Sequence, residues 1–357
     1  MVSSQHKTSD VTIPRPPVAQ GVPPQVKILQ MMNAYRLAQS ISVAAKLGIA
    51  DLLTQPQSVT ALAQTTATHE QSLYRLLRVV ASFDIFTEDE NGLFHLTPRG
   101  ALLQTNISNS LRDYAIVVGE MWHWRMWGGI LHSIKTGDPA FDQIFGMEFQ
   151  EYYQQNPEVA KNFDGAMVSA LAMTDVAILA NYDFTSFQRI VDIGAGGQGD
   201  GKLIASILKN NSSQQGVYFD TPTRIEQVER LIEVTGLSDR TQLVTGDVFQ
   251  SFPPDGDVYI IKNLIHDYDD DRAIAILKNC RQAIATHGKL LLIEMVIPPG
   301  NEPSLGKILD VEALLMSAGA IERTQEQYQQ LLAAAGFQLS NIISSRSPMS
   351  IIESVPT

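Results

Sequence analysis

The chain has 357 residues, 44% hydrophobic and 18% charged, which suits two or three globular domains with real cores. Its formal net charge is −12, so a nucleic-acid backbone or an anionic membrane surface is a poor partner. The single cysteine, Cys280, excludes an intrachain disulfide and a multi-cysteine metal site, and it fits a reducing cytoplasm.

Residues 1–25 are polar and carry Pro14, Pro16, Pro17, Pro23 and Pro24, which reads as a flexible tail. The tail has neither the basic start nor the apolar middle of a signal peptide. No unbroken run of 18 apolar residues follows, which argues against a membrane span. From Val26 the pattern turns helical through Ile28, Leu29, Met32, Leu37, Ile41, Ala44 and Leu47, and Gly48 stops it. This face is broad and apolar. It suits packing inside its own domain and burial against a second subunit equally.

Ser58 is placed to cap a short helix, and a second helix is expected over 68–80. Apolar runs at 83–87 and 93–97 flank Asn91-Gly92, a strong hairpin signal. Helix, helix, hairpin makes a winged helix over 26–107. Its candidate recognition helix carries only Arg75 and Arg78 and its wing is acidic, which favours a structural or dimerising module over DNA binding.

Residues 108–182 read as a helical linker. Trp122, Trp124 and Trp127 sit together there, followed by Phe141, Phe145, Phe149, Tyr152, Tyr153, Phe163, Met167 and Met173. Two readings stand: an aromatic core, or the wall of a pocket for a flat apolar ligand.

Beyond 183 the pattern becomes strand–helix alternation. The apolar run 190–193 enters a glycine cluster, and a helical stretch follows over 202–208, the first βα unit of a nucleotide-binding sheet. Gly194 and Gly196 allow close backbone approach to a ligand, and the next helix aims free N–H groups at it. The second strand, 216–219, ends in Asp220, placed to take the hydroxyls of a ribose. It lies further from Asp192 than the roughly 20 residues of NAD-binding folds, which leaves the nucleoside open.

Strands are then expected at 241–245, 257–262 and 288–294, with helices over 222–236, 269–285 and up to Gly336. Residues 337–344 and 349–353 predict a final antiparallel hairpin. Five strands with crossover helices form a parallel sheet. Asp192, Asp220, Asp247, His266 and Glu294 all fall at or just after strand C-termini, where such sheets bind ligands. The run Asp269-Asp270-Asp271 reads as an acidic first helical turn rather than a metal site, and Cys280 as inert core.

The motifs Val191-Asp192-Ile193-Gly194-Ala195-Gly196, Phe219-Asp220-Thr221-Pro222, Gly246-Asp247-Val248-Phe249, His266-Asp267-Tyr268 and Glu322-Arg323-Thr324 are specific as a set. From about residue 25 onward the chain resembles the class I S-adenosylmethionine (SAM)-dependent small-molecule O-methyltransferases. The plant caffeic acid and hydroxyindole enzymes and the bacterial polyketide-tailoring enzymes typify that family.

The resemblance implies an α/β fold: a Rossmann-like SAM-binding sheet over 183–357 behind an N-terminal winged-helix dimerisation domain. It implies Asp192, Gly194 and Gly196 along the methionine part of SAM and Asp220 on the ribose. It implies Asp247 and Val248 beside the adenine, and Lys262 on the strand bordering the cofactor. His266 would be the catalytic base, oriented by Glu294 and Glu322, with Asp267 near the cofactor. Trp124, Met167 and Asp267 are the candidate acceptor contacts. Three positions depart from the family pattern: Gln198 stands where a third glycine is usual, the Asp192–Asp220 gap is longer, and Tyr268 replaces a tryptophan.

The expected protein is a cytoplasmic homodimeric enzyme that binds SAM and a small aromatic hydroxyl compound, with no resident metal and no nucleic-acid or membrane partner. Two enzymatic alternatives stay open, C- or N-methylation on the same scaffold, where a His-Asp pair could hold a metal. A non-catalytic winged-helix regulator is a third reading, and the charge balance disfavours it.

Overall fold

Pro24 opens the first helix rather than closing a tail. It occupies the first helical position of α1 (Pro24–Lys46), where a missing N–H is harmless. The computed structural model describes residues 22–107, 109–194, 199–345 and 347–357, with side chains left aside at 170–173. Most of the proline-rich tail, Gly196 and Gln198 of the glycine loop, and the Met173 side chain therefore lie outside the described residues. Gly48, at φ +66°, turns the chain after α1. Ile28, Leu29, Met31, Met32 and Tyr35 face outward along α1, while Ala44 and Ala45 at its far end are buried.

Ser58 caps α2 (Val59–Thr66) by accepting the Ala61 amide. In α3 (Glu70–Ala81), Leu73, Leu77 and Val80 share one face and are buried. The hairpin of β2 (Phe86–Glu88) and β3 (Leu93–Leu96) forms as expected. A third strand, the two-residue β1 (Gln57–Ser58), pairs with β3 and was too short to read from the sequence.

The next segment holds α4 (Arg112–Val118), α5 (Met121–Gly128), α6 (Ala140–Phe145) and α7 (Pro157–Asn181). Trp122, Met126, Phe141, Phe149 and Ala166 are buried together between them. By length and composition α7 could cross a membrane; polar residues interrupt it, so a search for an unbroken apolar run passes over it. In this fold α7 packs along α4. Its foot, Ile178, is buried among Phe184, Ile190 and Ile260, so α7 ties the helical cap to the sheet.

The sheet strands are β4 (Arg189–Ile193), β5 (Gln215–Asp220), β6 (Thr241–Thr245), β7 (Val258–Lys262), β8 (Lys289–Glu294), β11 (Phe337–Ser344) and β12 (Ser350–Pro356). Among the described residues they form one sheet in the order β11-β12-β8-β7-β4-β5-β6. The first five are mutually parallel; β12 runs antiparallel to both β8 and β11. Crossover helices α8 (Lys202–Asn210), α9 (Pro222–Val234) and α10 (Asp270–Ala283) cover its faces. The central strands are therefore buried on both sides, which is why Val258 to Ile261 and Leu290 to Ile293 are continuously apolar. Strand order reverses beside β4, so the ligand crevice opens at its C-terminal end.

Two features were not anticipated. Helix α11 (Leu305–Met316) follows β8, although Leu305, Ile308, Leu309 and Leu315 carried the helical spacing. The short strands β9 (Val296–Ile297) and β10 (Arg323–Thr324) pair in parallel. Thr324 and Gln327 then form a capping box that starts α12 (Gln325–Ala334).

Candidate active site

Glu294, the last residue of β8, is fully buried and organises the loop after β7. Its Oε1 accepts the amides of Leu264 (3.0 Å) and Ile265 (2.8 Å). Its Oε2 lies 2.8 Å from His266 Nδ1. A carboxylate already accepting two N–H groups acts as an acceptor here, so Nδ1 carries a hydrogen in either charge state and Nε2 is the nitrogen that gains or loses one. Asp267 Oδ1 stands 3.4 Å from Nε2. Burial alone would lower the imidazole's pKa, but the Glu294 and Asp267 carboxylates outweigh it and raise the pKa to about 10.

Glu322 reaches the same place by another route. The β9–β10 pairing sets it beside the end of β8, and its amide donates to Asp310 Oδ1 on α11 (3.0 Å). No hydrogen bond joins it to the imidazole among the described residues, and its buried Oε2 has no partner. Burial raises its carboxyl to about 7, so its influence on His266 is one of charge rather than of orientation.

Arg323, next in sequence, is wholly buried. Its guanidinium donates to the carbonyls of Ile265 (3.0 Å) and Tyr268 (2.8 Å) and to Asp270 Oδ1 (2.8 Å). It thus fixes both ends of the turn that carries His266. Asn263, just before that turn, holds a left-handed φ of +51° and buries a side-chain amide that has no hydrogen-bond partner among the described residues.

The glycine-loop side forms a separate cradle. Asp192, at the end of β4, is buried, and desolvation raises it to about 7. A small cavity is lined by Asp192, Gly194, Gly199, Asp200, Leu203 and Lys262. Asp220 is fully buried one strand over; its Oδ2 accepts the Tyr218 hydroxyl (2.8 Å) and its Oδ1 the Thr221 amide (2.7 Å). A Cβ on Gly194 would strike both the Tyr218 hydroxyl and Asp220 Oδ2. Gly194→Ala is therefore expected to displace Asp220 and to weaken nucleoside binding at least tenfold, read by calorimetry against wild type. Beyond β6, exposed Asp247 accepts the Phe249 amide, and Val248 is buried.

Lys262 and Asp175, the latter unremarked in the sequence, form a buried ion pair (Nζ–Oδ1 2.6 Å). Met167 packs against the Trp122 cluster. Trp124 instead lies on Tyr35 of α1 (centroids 5.3 Å apart) and donates to the Val118 carbonyl (3.1 Å). Two residues apart on a helix point to different sides, so Trp122 belongs to the aromatic cluster, with Trp127 packed against it, and Trp124 does not. Asp269 accepts the Arg272 amide and caps α10, and Cys280 is wholly buried, its thiol pushed well up by desolvation.

This cradle fits a sulfonium nucleoside: buried carboxylates stand at the ends of β4 and β5, and a glycine keeps room between them. The sheet order, the cradle and the adjoining His-Glu pair define a class I SAM-dependent methyltransferase. A family model described as an O-methyltransferase domain matches residues 127–338, and one described as an O-methyltransferase dimerisation domain matches residues 29–106. The chain is 41% identical to a phenazine O-methyltransferase of Lysobacter antibioticus, over 95% of this chain and 98% of that one. It is 29% identical to a phenazine-1-carboxylate N-methyltransferase of Pseudomonas aeruginosa, over 88% and 92%. CalO1, a methyltransferase in calicheamicin biosynthesis solved with SAH bound, superposes with a TM-score of 0.83 at 28% identity, over 93% and 98%. The chain belongs to the O-methyltransferase family and takes SAM as its methyl donor.

Proposed function

We propose that this enzyme methylates a hydroxyl of a small aromatic metabolite, phenazine-like or polyketide-like, with His266 Nε2 as the proton acceptor. The observation that carries this reading is the His266 Nδ1–Glu294 contact at 2.8 Å, which makes Nε2 the nitrogen that takes the proton once the ring is neutral. SAM supplies an electrophilic methyl on a sulfonium. His266 Nε2 would take the acceptor's hydroxyl proton while the methyl leaves the sulfonium, whose sulfur keeps the bond's electron pair as S-adenosylhomocysteine, and the imidazolium would later return the proton to solvent.

The pKa match supports the assignment. A phenol near 10 and an ordinary histidine near 6.5 differ by about 3.5 units, roughly 5 kcal/mol uphill. With His266 raised to about 10 the gap closes. At neutral pH the site and a phenol together hold one proton too many, and the competent pair forms by losing it. For such an acceptor, kcat/KM should therefore rise by about tenfold per pH unit between about 7 and 9. A plateau starting near pH 7 would contradict a base raised this far.

In this reading Asp192, Gly194 and Gly196 line the methionine part of SAM and Asp220 binds the ribose. Asp247 and Val248 flank the adenine, and Lys262 borders the cofactor. Glu294 orients the base, and Glu322 adds charge. Met167 and Asp267 meet the acceptor; Trp124 would reach it only from the α1 side. The functional units are 26–107, 108–182 and 183–357, with a tail before them. We place the enzyme in the cytoplasm as a homodimer joined through the exposed α1 face. Light scattering at micromolar concentration should give twice the chain mass, and a monomer would refute this.

The N-methyltransferase relative supports a second reading, methylation of a ring nitrogen. A nitrogen lone pair has no proton to lose, so His266→Ala would leave that reaction fast. NMR of the product made with labelled methyl separates the two.

A further inference from the structure

A polar pair bridges the aromatic cap and α11. His123 Nε2 on α5 lies 3.2 Å from Glu312 Oε1, and the two side chains are 8% and 25% exposed. The ring of Tyr114, on α4, packs against the same Trp122 cluster. Burial, and after it the Glu312 carboxylate, pushes the Tyr114 phenol up.

Helix α11 leads onto the base. Asp310 accepts the Glu322 amide, and Ile321, just past the helix, donates to the His266 carbonyl (2.8 Å). On another side Val311, Leu315 and Met316 pack into the Trp122 cluster together with Met167. The helix therefore runs between the turn that carries His266 and the cap. Residues 310–314 are all half-buried, as expected of a helix beside a cleft.

A clip between two helices is a weak reason for this pair, because partly buried charges add little net stability. Glu312 also has capacity to spare. Among the described residues its Oε2 accepts no hydrogen bond. A carboxylate oxygen set against aromatic rings is a strong hydrogen-bond acceptor and a poor neighbour for a second anion.

We propose that Glu312, held in place by His123, selects the methyl acceptor. It favours an aromatic compound that carries a hydrogen-bond donor, an amine or a second hydroxyl, away from the methylated atom, and it rejects the carboxylate analogue. The proposal rests on the reading of the cap as the acceptor's side of the site, and not on which atom receives the methyl.

Calorimetry on the full chain with S-adenosylhomocysteine present tests it. The probes are 1-naphthols that carry an amine, a carboxylate or only hydrogen on the second ring, taken position by position. At one ring position the amine form should bind about ten- to a hundredfold tighter than the hydrogen form, and the carboxylate form more weakly than either. Glu312→Gln should shrink the gap between amine and carboxylate by about tenfold or more, with S-adenosylhomocysteine affinity near wild type. A wild-type series with no preference for the amine at any position would overturn the proposal. So would a Glu312→Gln variant that keeps the wild-type ranking, or one that loses all three forms equally, the pattern of a pair that only fastens α11 to α5. Should the variant not fold, the wild-type ranking decides. Binding is read without transfer, so a methyl found on nitrogen would refute hydroxyl methylation and leave this ranking standing.

Discussion

His266→Ala is expected to lower kcat by roughly 10²–10⁴-fold while leaving SAM affinity near wild type. The imidazole is anchored through Glu294 and stands apart from the residues lining the glycine-loop cavity, Asp192, Gly194 and Lys262. In the proposed role, its loss would remove the proton acceptor and leave the cofactor cradle intact. Glu294→Gln should act through the same step by another route. It removes the charge that raises His266, so the imidazole falls back toward about 6.5 and the pH profile flattens above neutrality. It also loosens the Leu264 and Ile265 amides that Glu294 Oε1 receives. Steady-state rates across pH, beside calorimetry with SAM, check both variants. An unchanged kcat in His266→Ala would remove His266 from the chemistry.

Arg323→Met should destabilise the chain by about 2–4 kcal/mol and lower kcat as well. Most of the loss comes from the two carbonyls, Ile265 and Tyr268, each left without its charged donor inside the protein. Loss of the Asp270 contact matters less, because that side chain is 73% exposed and water takes over the carboxylate. Arg323→Lys should recover only part of the loss, since an ammonium cannot hold both carbonyls and the carboxylate in one plane. Thermal unfolding with a SAM titration reads the two effects apart. Wild-type stability in Arg323→Met would show that the turn carrying His266 does not depend on this guanidinium.

The parallel sheet was legible because its strands announce themselves. Residues 258–261 form an unbroken apolar run, and acidic or histidine side chains punctuate the strand ends. The His266–Glu294 contact was expected from the resemblance; Glu294 ends β8, and His266 lies in the turn after β7, the neighbouring parallel strand. Asp175 was not legible, because nothing in a helix of alanines and aliphatics says which residue lies opposite Lys262. Arg323 was quoted only as part of a motif; its work is done through backbone carbonyls, which leave no trace in side-chain patterns. Glu322 was placed near the base by resemblance, yet its approach depends on β9 and β10, two-residue strands too short for periodicity to reveal. Helix α11 has a readable spacing, but Gly306 sits in its first turn and Lys307, Asp310 and Glu312 fall between its apolar positions, which blurs the pattern.

The most direct test is single-turnover transfer of a ¹³C-labelled methyl from SAM to one phenolic acceptor, by wild type and by His266→Ala, with NMR of the product. The expected result is a label on oxygen in both, with the variant slower by roughly 10²–10⁴-fold. A label on nitrogen or carbon, or a variant as fast as wild type, would contradict proton removal from a hydroxyl by His266.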